Sequence, residues 1–320
     1  MRAYVIRRLL LIIPTLFLVT LIVFFSVRFV PGNVVDLMAA EMAAAAGTGG
    51  ELTAKVIAHE LGLDVPVHIQ YGKWLGGLFR GDLGESLWTK RPILNEIVSR
   101  LPISLELGIL AIIIGLLIAF PIGVYSAIRQ DTRGDYIGRS FAIMCIAVPS
   151  FWIGTMVMVF PSVWWNWSPP VQCIPITENL GQNLLQFIIP AAIMGMVLSG
   201  VTMRMTRTMV LEVLRQDYIR TAWSKGLRER VVVMRHALKN SLIPVVTIIG
   251  MQIPILIGGS VIMEQIFCLP GIGRLLILSL NTRDYPVISG INVMMASAIL
   301  GINLLVDITY GYLDPRVHYR

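Results

Sequence analysis

Uncharged apolar stretches of roughly 20 residues recur along the chain, and polar segments separate them. A helix of about 20 residues spans the hydrocarbon core of a bilayer, so each stretch is long enough to cross a membrane. The pattern therefore predicts an all-α integral membrane protein with six transmembrane helices. The predicted spans cover residues 9–27, 107–128, 140–163, 184–203, 241–263 and 285–306.

The first stretch fits either a secretory signal or a membrane helix. Its charged start, MRAYVIRR, and its apolar centre suit a signal, and the segment MAAEMAAAAG at 38–47 could imitate a cleavage site. The uncharged run at 9–27, however, exceeds the about 7–15 residues of a signal core. We expect an uncleaved first helix.

The composition agrees with a membrane protein. Of the 320 residues, 56% are hydrophobic and only 14% are charged, far from the balance of a soluble domain. The formal charge of +7 would suit nucleic acid binding. Basic residues in membrane proteins, however, usually reflect loop orientation and contact with anionic lipid. We therefore expect membrane lipid, and not nucleic acid, as a partner.

Basic residues concentrate on one side of the predicted spans. The connection between spans 3 and 4 has no Lys or Arg, and the connection between spans 5 and 6 has only Arg274 and Arg283. The positive-inside rule places the richer side in the cytoplasm, and six spans put both termini there. The chain is thus predicted to be a multi-pass protein of the cytoplasmic (inner) membrane. Basic residues on the cytoplasmic side include Arg2, Arg7, Arg8, Arg129, Arg133, Arg139, Arg204, Arg207, Arg215, Arg316 and Arg320.

The predicted spans divide the chain into four parts. Residues 1–30 form the cytoplasmic N-terminus and first helix, and residues 31–102 form an external helical segment that is too long for a simple connection. Residues 103–311 form a five-helix core with a cytoplasmic loop at 204–240, and residues 312–320 form a cytoplasmic tail. The second half of the external segment mixes helical apolar spacing with Gly and Pro turn signals, which predicts short helices on the outer face.

The cytoplasmic loop contains a dense group of cations between two apolar spans. Each would cost roughly 2.5–3.5 kcal/mol in hydrocarbon, so the segment must lie in water. The group consists of Arg220, Lys225, Arg228, Arg230, Arg235 and Lys239.

The pattern within this group predicts two helical segments. The first covers 218–225, with Gly226 at the position of a left-handed C-cap. The second covers 227–240, where Val231, Met234 and Leu238 share an apolar stripe. Thr221 and Ala222 are expected to be exposed between the charges, so the loop is predicted to form a compact knob that another protein can hold.

The stretch YIRTAWSKGLRERVVVMRHALKNSLIPVV closely resembles the cytoplasmic coupling loop, often called the EAA loop, of ABC-importer permeases in the dipeptide, oligopeptide and nickel branch. The general pattern begins Glu-Ala-Ala and has Gly after three more residues. Here Arg220, Thr221 and Ala222 occupy the first three places, and Gly226 occupies the Gly place. Arg-Thr-Ala is characteristic of the peptide branch, whereas the later Leu-Pro is absent because Lys239 follows Leu238.

Further segments resemble the same branch in the same order, and together they cover most of the chain. The weakest coverage falls at 34–56, which could be an insertion. The matching segments are LGLDVPVHIQYGKWLGGLFRGDLGESL, RLPISLELGILAIIIGLLIAFPIGVYSA, AVPSFWIGT, EQIFCLPGIGRLLILSLNTRDYPVISG and LLVDITYGYLDPRV.

The resemblance implies a permease subunit that forms half of a translocation path and works by alternating access. Its implied partners are a second homologous permease subunit, two ATPase subunits and an extracytoplasmic substrate-binding protein. ATP and Mg would bind to the ATPase subunits and no cofactor to this chain, which lacks the GxxxxGK[ST] phosphate loop and is expected not to be an enzyme. Di- or oligopeptides are the expected substrates, and nickel chelates or other small oligomers are the alternative.

The resemblance also implies roles for particular residues. The residues implied in coupling to the ATPase are Tyr218, Arg220, Thr221, Ala222, Lys225, Gly226, Leu227, Arg235 and His236. The residues implied in an outer gate or in binding-protein docking, where a purely structural turn is the alternative, are Pro270, Gly271, Gly273, Asn281, Arg283, Asp284 and Tyr285.

Two unrelated functions remain as alternatives. A self-contained secondary transporter would place broken helices or polar groups at the midplane, often in an internal repeat, and no repeat is evident. An intramembrane enzyme would need a motif such as HExxH or GxSxG, and neither is present. The scattered cysteines and histidines form no metal-ligand spacing, and Glu106 and Asp307 lie near predicted membrane edges, where a structural role is expected.

Overall fold

The computed structural model describes residues 2–28, 35, 38–40, 59, 64–170 and 173–313. Most of the possible insertion at 34–56 and most of the predicted tail at 312–320 lie outside the described residues. Within the described part the chain is helical, with no β-strand beyond one isolated bridge between Glu85 and Pro92.

The described residues form ten α-helices of more than one turn, besides a π-helix at Val232–Ala237. We number them α1 Arg2–Arg28, α2 Val67–Leu78, α3 Ile93–Ile128, α4 Arg133–Ala147, α5 Ser150–Trp165, α6 Leu180–Leu214, α7 Asp217–Ser224, α8 Leu238–Ile266, α9 Ile272–Thr282 and α10 Tyr285–Leu313.

Five of these helices contain segments long and apolar enough to cross a membrane, and they confirm five of the predicted spans. The segments are Ile6–Arg28, Ile93–Ile128, Leu180–Leu214, Pro244–Ile266 and Tyr285–Thr309.

The predicted span at 140–163 is not one straight helix. It consists of α4 and α5, which meet at an angle of 87° and count as a sixth span only when taken together. Val148 and Pro149 between them have extended ψ angles of 123° and 129°. Proline lacks an N–H and forces the preceding residue out of the helical region, which explains the break at this position.

The chain separates into two compact units. The first contains Ile103–Pro270 and the chain from Gly301 onward, and the second contains Arg2–Pro102 and Gly271–Leu300. In the first unit, α6 packs against α8 and α4, and a buried apolar cluster there includes Leu107 of α3, Phe187 of α6 and Met263 of α8. Each unit thus has its own apolar core.

Paired glycines bring α3 and α6 into close contact inside the first unit. A Cβ atom on Gly195 would lie 2.7 Å from the Ala111 carbonyl oxygen, and one on Gly115 would lie 2.8 Å from the Gly195 carbonyl oxygen. Small residues at such crossings let helix backbones approach within a membrane, where packing has to replace the hydrophobic effect.

A buried ion pair joins α4 to α6 in the same unit. The Arg207 guanidinium donates through Nε and Nη2 to the two Asp135 carboxylate oxygens, at 2.8 and 2.7 Å. Asp135 is fully buried and also accepts the Asp131 backbone N–H at 3.1 Å. The two-pronged geometry and the additional donor compensate the carboxylate for its lost hydration.

The second unit has its own core and a separate aromatic contact. Ile93 and Ile97 from the first turns of α3 pack against Ile272 of α9 and Ile291 of α10. Elsewhere in this unit, Phe24 of α1 packs against aromatic rings of α2.

We predict that Arg207→Met lowers the stability of the protein by about 3–5 kcal/mol, because Asp135 would remain buried without its partner. The measurement is the thermal unfolding midpoint of the detergent-purified chain. The exposed Arg215 is a matched control; its Met variant should unfold at the wild-type temperature.

The double variant Asp135→Ala/Arg207→Met provides a second check. It should regain part of the lost stability, since no isolated charge remains. A single variant as stable as wild type would contradict this role for the pair.

Candidate functional site

The predicted cytoplasmic loop contains the short helix α7, which has one buried face. Ile219 and Ala222 lie three residues apart and therefore on the same side of the helix. They pack with Val213, Val232 and Ala237 in a small apolar cluster. This cluster attaches α7 both to the end of α6 and to the segment that returns to α8.

The end of α7 has the hydrogen bonds of a Schellman motif. Gly226 N–H donates to the Trp223 carbonyl oxygen at 2.9 Å, and Leu227 N–H donates to the Ala222 carbonyl oxygen at 3.4 Å. Gly226 has a φ of +74°, a left-handed conformation that glycine adopts without strain. No atom lies within 4 Å of the position that its Cβ would occupy, so the surroundings leave room for a side chain there.

The remaining residues of α7 are exposed, and all but two aromatic residues are polar. Arg220 and Thr221 are exposed, and an ion pair of 3.4 Å joins Arg220 to the solvated Asp217, where it contributes little to stability. The two aromatic residues are Trp223, which is 44% exposed, and Tyr218, which is 39% exposed. Sequence reasoning did not select Trp223, although a tryptophan among charges in a short loop was a usable signal.

The structure places the nine predicted coupling residues in different environments. Ala222, expected to be exposed, is only 7% exposed and belongs to the apolar cluster, because it falls on the same helix face as Ile219. Leu227 and His236 are half-buried. The exposed members are Tyr218, Arg220, Thr221, Lys225, Gly226 and Arg235.

The return segment is not the continuous α-helix predicted over 227–240. After a helical turn at Glu229–Val231, residues Val232–Ala237 form a π-helix in which the Leu238 N–H donates to the Val233 carbonyl oxygen. Val232 and Val233 face the protein, whereas Val231 and Met234 of the predicted stripe are exposed.

One tyrosine connects α7 to this return segment. The Tyr218 hydroxyl donates to the His236 carbonyl oxygen at 3.2 Å and accepts from Asn240 Nδ2 at 2.8 Å. The loop thus has a polar bridge besides its apolar cluster.

A second polar arrangement lies in the other unit, around a hairpin at residues 84–93. Ile93 N–H donates to the Gly84 carbonyl oxygen, and Ser86 N–H to the Arg91 carbonyl oxygen, both at 3.0 Å. The buried Asp284 carboxylate accepts the Ser86 hydroxyl at 2.5 Å and the Leu87 N–H at 3.1 Å. One carboxylate therefore anchors the hairpin.

The predicted outer residues occur between the residue before the N-cap of α9 and the first residue of α10. Gly271 is the N-cap of α9, and Gly273 lies inside this helix. The turn predicted over Pro270, Gly271 and Gly273 therefore ends before Gly273. Asp284 and Tyr285 are buried, and Asp284 is committed to the hairpin. Pro270 and Arg283 are half-buried, and Asn281 is exposed.

A buried acid in the first unit was also missed by sequence reasoning. Glu264 is fully buried near the end of α8, and the Ser104 hydroxyl donates to its Oε1 at 2.6 Å. The predicted fifth span stops one residue before Glu264, so the sequence presented it as a loop residue. Among the described residues, no three His, Cys, Asp or Glu side chains are grouped to hold a metal ion.

Comparison with known families decides the class of protein. Residues 119–319 match the family described as binding-protein-dependent transport system inner membrane component, and residues 1–108 match the N-terminal part of such membrane components. The chain belongs to this permease family. The match includes the whole of α7 and the return segment.

Full-length relatives of this permease are known. It is 37% identical over 343 residues to the dipeptide transport system permease protein DppB of Escherichia coli, with all of both chains covered. It is 38% identical over 323 residues to the oligopeptide transport system permease protein AppB of Bacillus subtilis, again with all of both chains covered.

We predict that Asp284→Ala opens the 84–93 hairpin, because the buried Ser86 hydroxyl and Leu87 N–H would lose their acceptor at a cost of about 1–3 kcal/mol. Trypsin should then cleave after the exposed Lys90 about tenfold faster in the purified permease. Glu85→Ala removes an exposed carboxylate from the same hairpin and should leave cleavage unchanged. Equal rates in both variants would contradict the anchor.

Proposed function

We propose that this permease is the peptide-transporting membrane subunit of an ATP-driven importer and forms half of its translocation path. The observation that carries the proposal is its similarity, over the full length of both chains, to permeases named for dipeptide and oligopeptide transport. The proposed partners are a second homologous permease, two ATPase subunits that bind ATP and Mg, and an extracytoplasmic substrate-binding protein.

The exposed face of α7 is the proposed contact with an ATPase subunit. Its buried face is fixed by the apolar cluster, so the helix can present Arg220, Thr221 and Trp223 without losing its own support. Movement of an ATPase subunit would then displace α7, and with it the ends of α6 and α8. Packing and hydrogen bonding are the chemistry of this coupling, because this chain transfers no group.

The proposed orientation has both termini in the cytoplasm, following the distribution of basic residues. The α7 loop then faces the ATPase subunits, and the 84–93 hairpin faces the binding protein. The exposed Thr89 and Lys90 of the hairpin support such a docking role. Asp284 would contribute indirectly, by holding the hairpin in its conformation.

The direct test is uptake by vesicles that contain the complete complex, with labelled di- and oligopeptides supplied with the binding protein and ATP trapped on the ATPase side. ATP-dependent peptide uptake is expected. ATP hydrolysis stimulated by another loaded binding protein, without peptide uptake, would keep the importer and assign it nickel chelates or other small oligomers. Peptide uptake that needs no ATP would overturn the proposal.

We predict that Gly226→Asp reduces this uptake by at least about tenfold without loss of membrane insertion, because it buries an unpaired carboxylate against the ATPase subunit. Gly226→Asn is the matched control. Asn and Asp both tolerate the left-handed conformation and have similar size, so the neutral variant should retain most of the uptake. Normal uptake by the Asp variant would contradict the contact.

We also predict that Trp223→Ala weakens retention of the ATPase subunit on the permease, on the order of tenfold in Kd, because partly exposed tryptophans are frequent anchors of interfaces. Binding of the ATPase subunit to detergent-purified permease measures this directly. Trp164→Ala changes an exposed tryptophan of α5 and should bind like wild type. If the two variants bound equally well, Trp223 would not be an anchor.

A further inference from the structure

Tyr218 makes both of its hydroxyl hydrogen bonds to the return segment. The O–H donates to the His236 carbonyl oxygen at 3.2 Å, and the oxygen accepts from Asn240 Nδ2 at 2.8 Å. His236 lies in the π-helix of the return segment, and Asn240 lies in the first turn of α8. One hydroxyl thus bridges α7 to both the π-helix and the start of α8.

The π-helix determines which residues meet Tyr218. In Val232–Ala237 the Leu238 N–H donates five residues back, to the Val233 carbonyl oxygen. Such a π-turn adds one residue relative to the α-helical ladder, and a one-residue shift rotates every later side chain by about 100°. A regular α-helix over the same residues would therefore carry Asn240 away from the Tyr218 hydroxyl.

The apolar cluster alone is poorly suited to fix the angle of α7. It joins Ile219 and Ala222 of α7 to Val232 and Ala237 of the return segment, and apolar contact has no preferred direction. Hydrogen bonds, by contrast, depend steeply on angle. The Tyr218 hydroxyl supplies a directional contact between the two arms of the loop.

We infer that Tyr218 is a positioning residue, with Asn240 as its partner, and that it holds α7 at a fixed angle on the return segment. When α7 is displaced, α8 then moves with it, because the loop between the two helices does not bend. The inference rests on the proposed function, because it assigns Tyr218 a part in transmitting motion from the ATPase subunit.

The expected consequence is a loss of coupling rather than a loss of ATP hydrolysis. In vesicles with the complete complex, Tyr218→Phe should lower the number of dipeptide molecules imported per ATP hydrolysed by about two- to tenfold, the effect of one lost hydrogen-bonding group. Asn240→Leu should lower the same ratio. The double variant should be no worse than Tyr218→Phe alone, because Asn240 acts through the hydroxyl.

Tyr136→Phe is the matched control. The Tyr136 ring is exposed on α4, and its contact with the Arg139 guanidinium, 5.5 Å from the ring centroid, does not need the hydroxyl. This variant should import dipeptide at the wild-type ratio. A wild-type ratio for Tyr218→Phe would overturn the inference, as would an Asn240→Leu loss that persists undiminished in the Tyr218→Phe background.

Amide hydrogen exchange of α7 in the purified complex tests the bridge without any substrate. Tyr218→Phe and Asn240→Leu should each accelerate exchange over 217–225, and Tyr136→Phe should not. Unchanged exchange would overturn the bridge whatever the transported compound. Wild-type vesicles that import neither dipeptides nor oligopeptides would instead count against the proposed function, and the exchange result would then decide the bridge.

Discussion

Hydrocarbon excludes charge and unpaired backbone groups, and this constraint determines most of the arrangement of the permease. Long uncharged helices satisfy their own backbone within the bilayer, and the dense group of cations between α6 and α8 must lie outside it. The charged Asp135 lies in the helical core, and its carboxylate accepts two hydrogen bonds from the Arg207 guanidinium. The ends of the spans are therefore the places where polar chemistry can act.

The loop after α6 lies at the end of a span. Its helix has a buried face, a glycine stop and an exposed face, and each follows from a different physical cause. Spacing of three residues buries Ile219 with Ala222, the left-handed conformation of Gly226 ends the helix, and the polar remainder stays in water. The Tyr218 bridge then adds direction to an otherwise adaptable apolar contact.

Much of this could be predicted from the sequence because it is local. Hydropathy predicted six spans, of which five are single long helices, and a single glycine marked the end of α7. The 87° break between α4 and α5 was harder to anticipate, because proline in a membrane helix is often accommodated by a slight bend. The prediction that Ala222 is exposed was wrong because it relied on the neighbouring charges. The spacing of three residues between Ile219 and Ala222 places both on the buried face.

Contacts between distant residues could not be predicted at all. Asp135 and Arg207 are 72 positions apart, and Ser86 and Asp284 are 198 apart. Sequence patterns within one window carry no information about such pairs. The π-turn also escaped prediction, because its six residues have the composition of an ordinary amphipathic helix.

In the proposed complex, the exposed face of α7 lies against the ATPase subunit. Cysteine cross-linking in membranes that contain the complete complex tests it most directly, after replacement of Cys145, Cys173 and Cys268. A cysteine introduced by Ser224→Cys, on the exposed face of α7, should cross-link to the ATPase subunit, whereas Thr89→Cys on the hairpin should not. Two results would contradict this contact. One is that the Ser224→Cys variant forms no cross-link to the ATPase subunit, and the other is that a membrane-impermeant reagent labels the cysteine at position 224 from outside.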